Sequence, residues 1–302
     1  MFLLIALIVV LLLFLSSITL ILFFIGPTIL LQPRRRHPQF YQKLSHPIKP
    51  SDLGLIYDKM NIVTRDGIKL NSWLIKRKEN SKGTIVYLHG VGDCKITGLP
   101  FAKFFYDNGY NIFLYDSRRH GESEGTYCTY GFYEKNDLTD AINYLELRKD
   151  LHLGKIGIFG TSMGAAVALQ TAAIDKRISA VAAENSFAAL RTIFDDYQKR
   201  IIKIPFHYLR NIVIIRSEIN AKFKAREVSP LKSVDDIKVP ILFVYGTNDI
   251  HINHKKSVML YESAGNQKEI YPIENADHNN CWDVGGEKYH SKLLEFFGRC
   301  LG

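Results

Sequence analysis

The sequence predicts an α/β protein: a mostly parallel sheet with helices on both faces, a helical cap insertion, and a transmembrane helix at the amino end. Three observations carry that expectation. Short apolar runs alternate with helix-period segments from about residue 55 onward. Residues 1–31 carry no charge. Gly160-Thr161-Ser162-Met163-Gly164 lies between an apolar run, residues 155–159, and a small-residue helical run, residues 165–169, so the chain reads strand, sharp turn, helix.

Taken in order, residues 1–31 are dominated by Leu, Ile, Val and Phe and exceed the roughly 20 residues that cross a bilayer. They lack a basic leader and a small-x-small cleavage site, which favours an uncleaved single-pass anchor over a signal peptide. Gly26-Pro27 offers a helix end. Arg34, Arg35, Arg36, Lys43 and Lys49 follow the span, and positive-inside bias then puts the domain that follows in the cytoplasm. The lack of an Asn-x-Ser/Thr sequon agrees. Residues 32–54, with Pro33, Pro38, Pro47 and Pro50, read as a stiff basic tether along the membrane surface.

The folded domain, residues 55–302, opens on two alternating runs, 59–64 and 68–76, joined as a hairpin by Arg65-Asp66-Gly67. Further strands are expected at 84–88, 110–115, 178–183, 241–245 and 268–273, and helices at 99–108, 133–148, 255–264 and 288–298. Between Asn185 and Val239 the alternation fails. Residues 186–235 hold ten Lys/Arg against five Asp/Glu and a helical run at 206–215, and read as a cap inserted over the site.

With 302 residues, 47% hydrophobic and 23% charged, the chain can bury one large core beyond its anchor. Its net charge of +9 is concentrated beside the membrane segment and in the cap, without an interleaved aromatic platform, so no nucleic-acid partner is expected. Cys94, Cys128, Cys281 and Cys300 show no metal-like spacing and read as free thiols.

A serine is a weak nucleophile at neutral pH; it needs a base, and the base needs an orienting acid. On a sheet of this kind the chain order is serine, acid, histidine. Asp249 follows the apolar run at 241–245, and His278 lies in the loop after the last strand, so Ser162, Asp249 and His278 are the expected catalytic residues. Gly160 and Gly164 leave room for the sharp turn. The helix starts at the serine, which aims Met163 N–H at a developing oxyanion. The second donor is expected from His89-Gly90-Val91-Gly92, as Val91 N–H, with His89 and Gly90 supporting the loop.

Residues 116–123, beginning at Asp116, follow another strand end and read as a buried polar brace whose charges must be paired internally. His251 and His254 are spaced like a metal pair, but no carboxylate or cysteine completes a site, so both read as surface residues and no metal is expected. Cys94 and Cys281 lie close in sequence to the oxyanion loop and to His278.

On these residues the chain, from about 55 to 300, resembles the α/β-hydrolase superfamily, and within it the membrane-anchored Bem46-like serine hydrolases. The matching positions are His89-Gly90, residues 116–123, residues 160–164, Ser229-Pro230-Leu231, Val239-Pro240 ahead of the strand leading to Asp249, and Ala276-Asp277-His278-Asn279. The resemblance implies an eight-stranded sheet, the triad Ser162, Asp249 and His278, and no cofactor. Arg119 departs from the pattern, which usually has glycine there.

The expected function is a membrane-anchored serine hydrolase of carboxylic esters or thioesters, lipid acyl groups among them, acting through an acyl-enzyme. A serine peptidase or amidase would use the same triad. A non-catalytic binding protein on this fold would lack a triad member, whereas all three stand here; a dehalogenase would need a carboxylate in place of Ser162. Superfamily resemblance leaves the substrate open.

Overall fold

The computed structural model describes residues 1–77, 81–194, 207–265 and 267–302. Strands β1 (Asp58–Val63) and β2 (Lys69–Ile75) form the expected antiparallel hairpin, with Val63 opposite Lys69. β3 (Thr84–Leu88), β4 (Asn111–Tyr115), β5 (Ile156–Thr161), β6 (Ile178–Glu184), β7 (Ile241–Gly246) and β8 (Lys268–Ile273) complete one eight-stranded sheet, ordered β1-β2-β4-β3-β5-β6-β7-β8. β2 pairs antiparallel with β4, and the pairings from β4 across to β8 are parallel. Helix α1 (Phe2–Leu31) precedes the sheet. α2 (Leu99–Asp107), α3 (Glu134–Glu146), α4 (Met163–Ala172), α5 (His207–Ala221), α6 (Lys255–Ser263) and α7 (Cys281–Leu301) follow.

The central strands read as unbroken apolar runs because both of their faces are covered. In β3, Ile85 and Tyr87 join one core with Phe101 and Phe105 of α2 and Leu293 and Phe297 of α7. Val86 and Leu88 point the other way, into a core with Leu138 and Ile142 of α3, Val167 of α4 and Leu260 of α6. The order of strands reverses around β3, which has β4 on one side and β5 on the other. A crevice therefore opens beyond the carboxyl ends of β3 and β5, where the chain carries the 89–92 loop and the turn at Ser162.

No residue of Phe2–Leu20 is buried. The hydroxyls of Ser17, Thr19 and Thr28 donate to the carbonyls of Leu13, Leu15 and Phe24 at 2.7–2.9 Å, which satisfies them inside an apolar helix. The helix does not end at Gly26-Pro27 as the sequence suggested. A wider turn at Ile21–Ile25 accommodates the ring and missing N–H of Pro27, and the helix continues to Leu31. Beyond Leu22 one side of α1 meets α5: Gly26 faces Val213, and the Arg216 guanidinium lies 5.4 Å from the Phe23 ring centre.

The segment expected to run as a stiff tether is docked on the domain instead. Cys128 N–H donates to Leu31 O and Tyr130 Oη–H to Leu30 O, both at 2.8 Å. Arg35 Nε donates to Arg119 O at 3.2 Å, and Arg36 pairs with Asp93. Basic residues would trail freely only if no acceptor faced them; here a carboxylate and a strained backbone carbonyl do.

Between β6 and β7, the helical run expected at 206–215 is observed from His207 onward, as α5. Residues 195–206 of the expected cap lie outside the described residues. Ile214 and Ala221 of α5 share an apolar cluster with Leu31, Leu190, Phe223, Ala166 of α4 and Ile252. The last helix begins at Cys281, earlier than the expected 288, because Gly286 (φ 51°, ψ −149°) breaks it into two helical pieces.

Candidate active site

Ser162 occupies the turn between β5 and α4 with φ 53° and ψ −113°, a backbone state that a residue with a side chain adopts only under constraint. The surrounding geometry explains the flanking glycines. A Cβ on Gly160 would stand 2.4 Å from Gly164 O, and one on Gly164 would stand 2.2 Å from Leu88 O. Ser162 N–H donates to Glu184 O at 2.8 Å and Ala166 N–H returns to Ser162 O at 3.1 Å, so the turn is held from both sides.

Three strand ends converge on this serine. His278 Nε2 lies 2.9 Å from Ser162 Oγ, and His278 Nδ1 lies 2.6 Å from Asp249 Oδ2. The second carboxylate oxygen of Asp249 accepts the backbone N–H groups of His251 and Ile252 at 2.7 and 2.8 Å. This fixes the carboxylate plane and keeps the acid an acceptor toward the imidazole. The Asp249 side chain is 1% exposed and that of His278 12%, so the pair is shielded while the ring keeps an open edge. Met163 N–H begins α4 next to the serine, and the 89–92 loop lies alongside: a Cβ built on Gly90 would be 3.4 Å from Ser162 Cβ.

Comparisons with known proteins agree with this strand order. Residues 79–230 fit the family model described as serine aminopeptidase, S33. Over 223 residues the chain is 34% identical to the YqkD protein of Bacillus subtilis, covering 72% of each. The chain belongs to the α/β-hydrolase family. This hydrolase is also 28% identical over 253 residues to Bem46 of Schizosaccharomyces pombe, covering 82% of this chain and 78% of that one. Among solved structures it is similar to the Pyrococcus furiosus esterase Pf2001, at 26% identity and a TM-score of 0.73, covering 90% of this chain and 98% of the esterase.

Next to the site the hydrolase carries the polar brace expected from residues 116–123, with a partner that the sequence reading passed over. Asp116 is fully buried and accepts Lys95 Nζ at 2.6 Å, Lys95 N–H at 2.8 Å and Glu122 N–H at 2.8 Å. Lys95 is 1% exposed, with its ammonium 4.6 Å from the Trp73 ring centre and 3.1 Å from Glu122 Oε2. Nothing local distinguishes this lysine from a surface one. Arg118 donates to Asp137 at 2.7 and 2.5 Å and to Asp66 at 3.0 and 3.2 Å. Arg119 sits at φ 68°, which explains why glycine is usual there and shows that this chain carries the strain.

His89 is held between two backbone groups. Its Nε2 accepts Ser117 N–H at 2.9 Å, so the ring proton is on Nδ1 and is donated to Gly90 O at 2.8 Å. Burial holds its pKa below the ordinary imidazole value. The His120 ring is 5.1 Å away, and burial together with that neighbour pushes His120 down to about 3.

Two further residues escaped the sequence reading. Glu184 ends β6 with its carboxyl accepting Tyr289 Oη–H at 2.6 Å, and burial pushes it up to about 7. Asn185, at φ 50°, accepts Gly246 N–H at 3.0 Å and donates to His278 O at 3.2 Å, tying the ends of β6 and β7 to the histidine loop. The signal was present: a Glu-Asn pair closing an otherwise apolar strand. His251 is not simply a surface residue, since its ring centre lies 5.4 Å from that of His278. Cys281 Sγ is 3.3 Å from Asn185 Nδ2, while burial pushes the Cys94 thiol up to about 12. A concavity of about 520 Å³, lined by Ser179, Ile241, Lys268 and Arg299 among others, lies at the opposite end of the sheet and takes no part in this site.

Proposed function

We propose that this protein is a membrane-anchored serine hydrolase that cleaves carboxylic esters or thioesters. One observation carries the reading: a single imidazole bridges the Ser162 hydroxyl and the Asp249 carboxylate within hydrogen-bond distance. With its Nδ1 proton held by Asp249, His278 presents an Nε2 lone pair to the hydroxyl. It takes the proton as Ser162 Oγ attacks the acyl carbonyl, and Asp249 stabilises the imidazolium. Val91 and Met163 N–H groups hold the oxyanion of the tetrahedral intermediate, each worth about 3 kcal/mol of barrier. The departing alcohol or thiol takes the proton from His278. Water deprotonated by the same ring then attacks the acyl-enzyme, releasing the acid and restoring Ser162.

The apolar helix α1, with three arginines directly after it, supports a single-pass anchor and a cytoplasmic catalytic domain. Leu31, at the end of that helix, shares an apolar cluster with Ala166, one turn past Ser162, and with Ile252, just past Asp249. That continuity supports acyl groups of membrane lipids or lipid-modified proteins as substrates. Amide cleavage is the second reading, favoured by the aminopeptidase description of the matching family. A fluorophosphonate probe is expected to label the wild type and spare Ser162→Ala; unchanged labelling of that variant excludes this nucleophile. Turnover of matched esters, thioesters and amides of short and long acyl chain, by protein in detergent micelles, separates the substrate classes.

A further inference from the structure

We infer that Arg36 and Tyr41, in the segment following the membrane helix, are positioning residues for the oxyanion loop and act on it through Asp93. The inference rests on the serine-hydrolase reading above and extends it to the anchor. The Gly90 carbonyl accepts two donors, His89 Nδ1–H at 2.8 Å and Asp93 N–H at 3.2 Å. In a trans peptide the N–H points opposite to the C=O. Pinning the Gly90 carbonyl from two sides therefore sets the direction of Val91 N–H, the proposed oxyanion donor.

One of those two pins is the backbone of Asp93, and the side chain of Asp93 is gripped from outside the loop. Its Oδ1 accepts Arg36 Nη1–H and, at 3.1 Å, Tyr41 Oη–H. Burial, and after it the Asp93 carboxylate, raise the Tyr41 phenol above its ordinary value, so it remains a donor. The grip has a fixed base. The bonds from Cys128, Tyr130 and Arg35 lock residues 30–35 to the domain, and Arg36 stacks 4.8 Å from the Phe40 ring centre. The membrane helix and the oxyanion loop are thus the two ends of one hydrogen-bonded connection.

The test uses the full chain in detergent micelles, with Arg36→Ala, Arg36→Lys and Tyr41→Phe. kcat and KM are measured separately on the best ester, together with Ki for a trifluoromethyl ketone of the same acyl chain, which forms an oxyanion on Ser162. Arg36→Ala is expected to lower kcat about tenfold, less than the hundredfold or more that loss of a whole donor costs, with KM little changed. Ki should rise by the same factor, and Arg36→Lys should recover part of both, since an ammonium keeps the charge without the planar fork. Combined Arg36→Ala and Tyr41→Phe substitutions that leave kcat and ketone affinity unchanged overturn the inference. So does a kcat loss explained wholly by a lower folded fraction, with Ki per folded site unaltered. Turnover surviving in Ser162→Ala overturns the serine-hydrolase reading itself, a result that no outcome of the Arg36 series imitates.

Discussion

His278 and the pair His89 and His120 are imidazoles at the same end of one sheet, yet their surroundings differ in kind. His278 keeps 12% of its side chain exposed and has a hydroxyl on one nitrogen and a carboxylate on the other. His89 and His120 are fully buried, and their hydrogen-bond partners are backbone groups: Ser117 N–H, Gly90 O and Arg118 O. Backbone groups do not exchange protons at neutral pH, so the buried rings act as neutral struts. Proximity to the site therefore does not by itself make a histidine a candidate base; the chemistry of its two partners does.

The largest effects should fall on the exposed side of that contrast. Ser162→Ala or His278→Ala is expected to lower kcat by roughly four to six orders of magnitude, and Asp249→Asn by about four. Thermal melts of all three should stay near wild type. Full activity in His278→Ala would break the distinction outright. On the buried side the effects should reach stability. Lys95→Met leaves the Asp116 carboxylate without its ammonium partner and should cost about 3–5 kcal/mol in urea unfolding, while the folded fraction keeps its probe labelling.

A pH series sharpens the comparison. The folded His120 ring protonates only near 3, against an ordinary 6.5. Between those values the unfolded chain binds the extra proton, so this contribution to stability is complete above about 6.5 and is lost as pH falls toward 3. In urea titrations at pH 7 and pH 4, His120→Gln should show a smaller acid loss than wild type; an equal loss would assign the acid limb to other groups. The smallest effect is at Arg119, where replacing a side chain held at φ 68° by glycine should stabilise the fold by about 0.5–1 kcal/mol. A destabilised Arg119→Gly would mean that the side chain contributes more than its backbone strain costs.

Much of the fold was legible in the chain because its signals are local. A strand buried on both faces must be apolar throughout, so β3 through β7 announced themselves as runs. The serine turn needs glycine on both sides, and those glycines are four residues apart. Asp249 and His278 were singled out as candidates from their position after predicted strands, and the structure brings His278 within hydrogen-bond reach of both Asp249 and Ser162. The helix boundaries that were missed lie at Pro27, where a wider turn lets the helix run on to Leu31, and at Cys281, where a separate helical piece precedes the break at Gly286.

What the amino-acid order determined by itself, then, is which segments become strands, helices and the turn at Ser162, since each depends on neighbours a few residues away. Tertiary structure alone decided that Lys95 is a buried counter-ion, that Asn185 braces the histidine loop, and that Arg36 grips Asp93 57 residues away. A charged or amide side chain reads the same in sequence whether it faces water or a partner. Only the packing of distant strands removes the water and supplies that partner, and with it the residue's role.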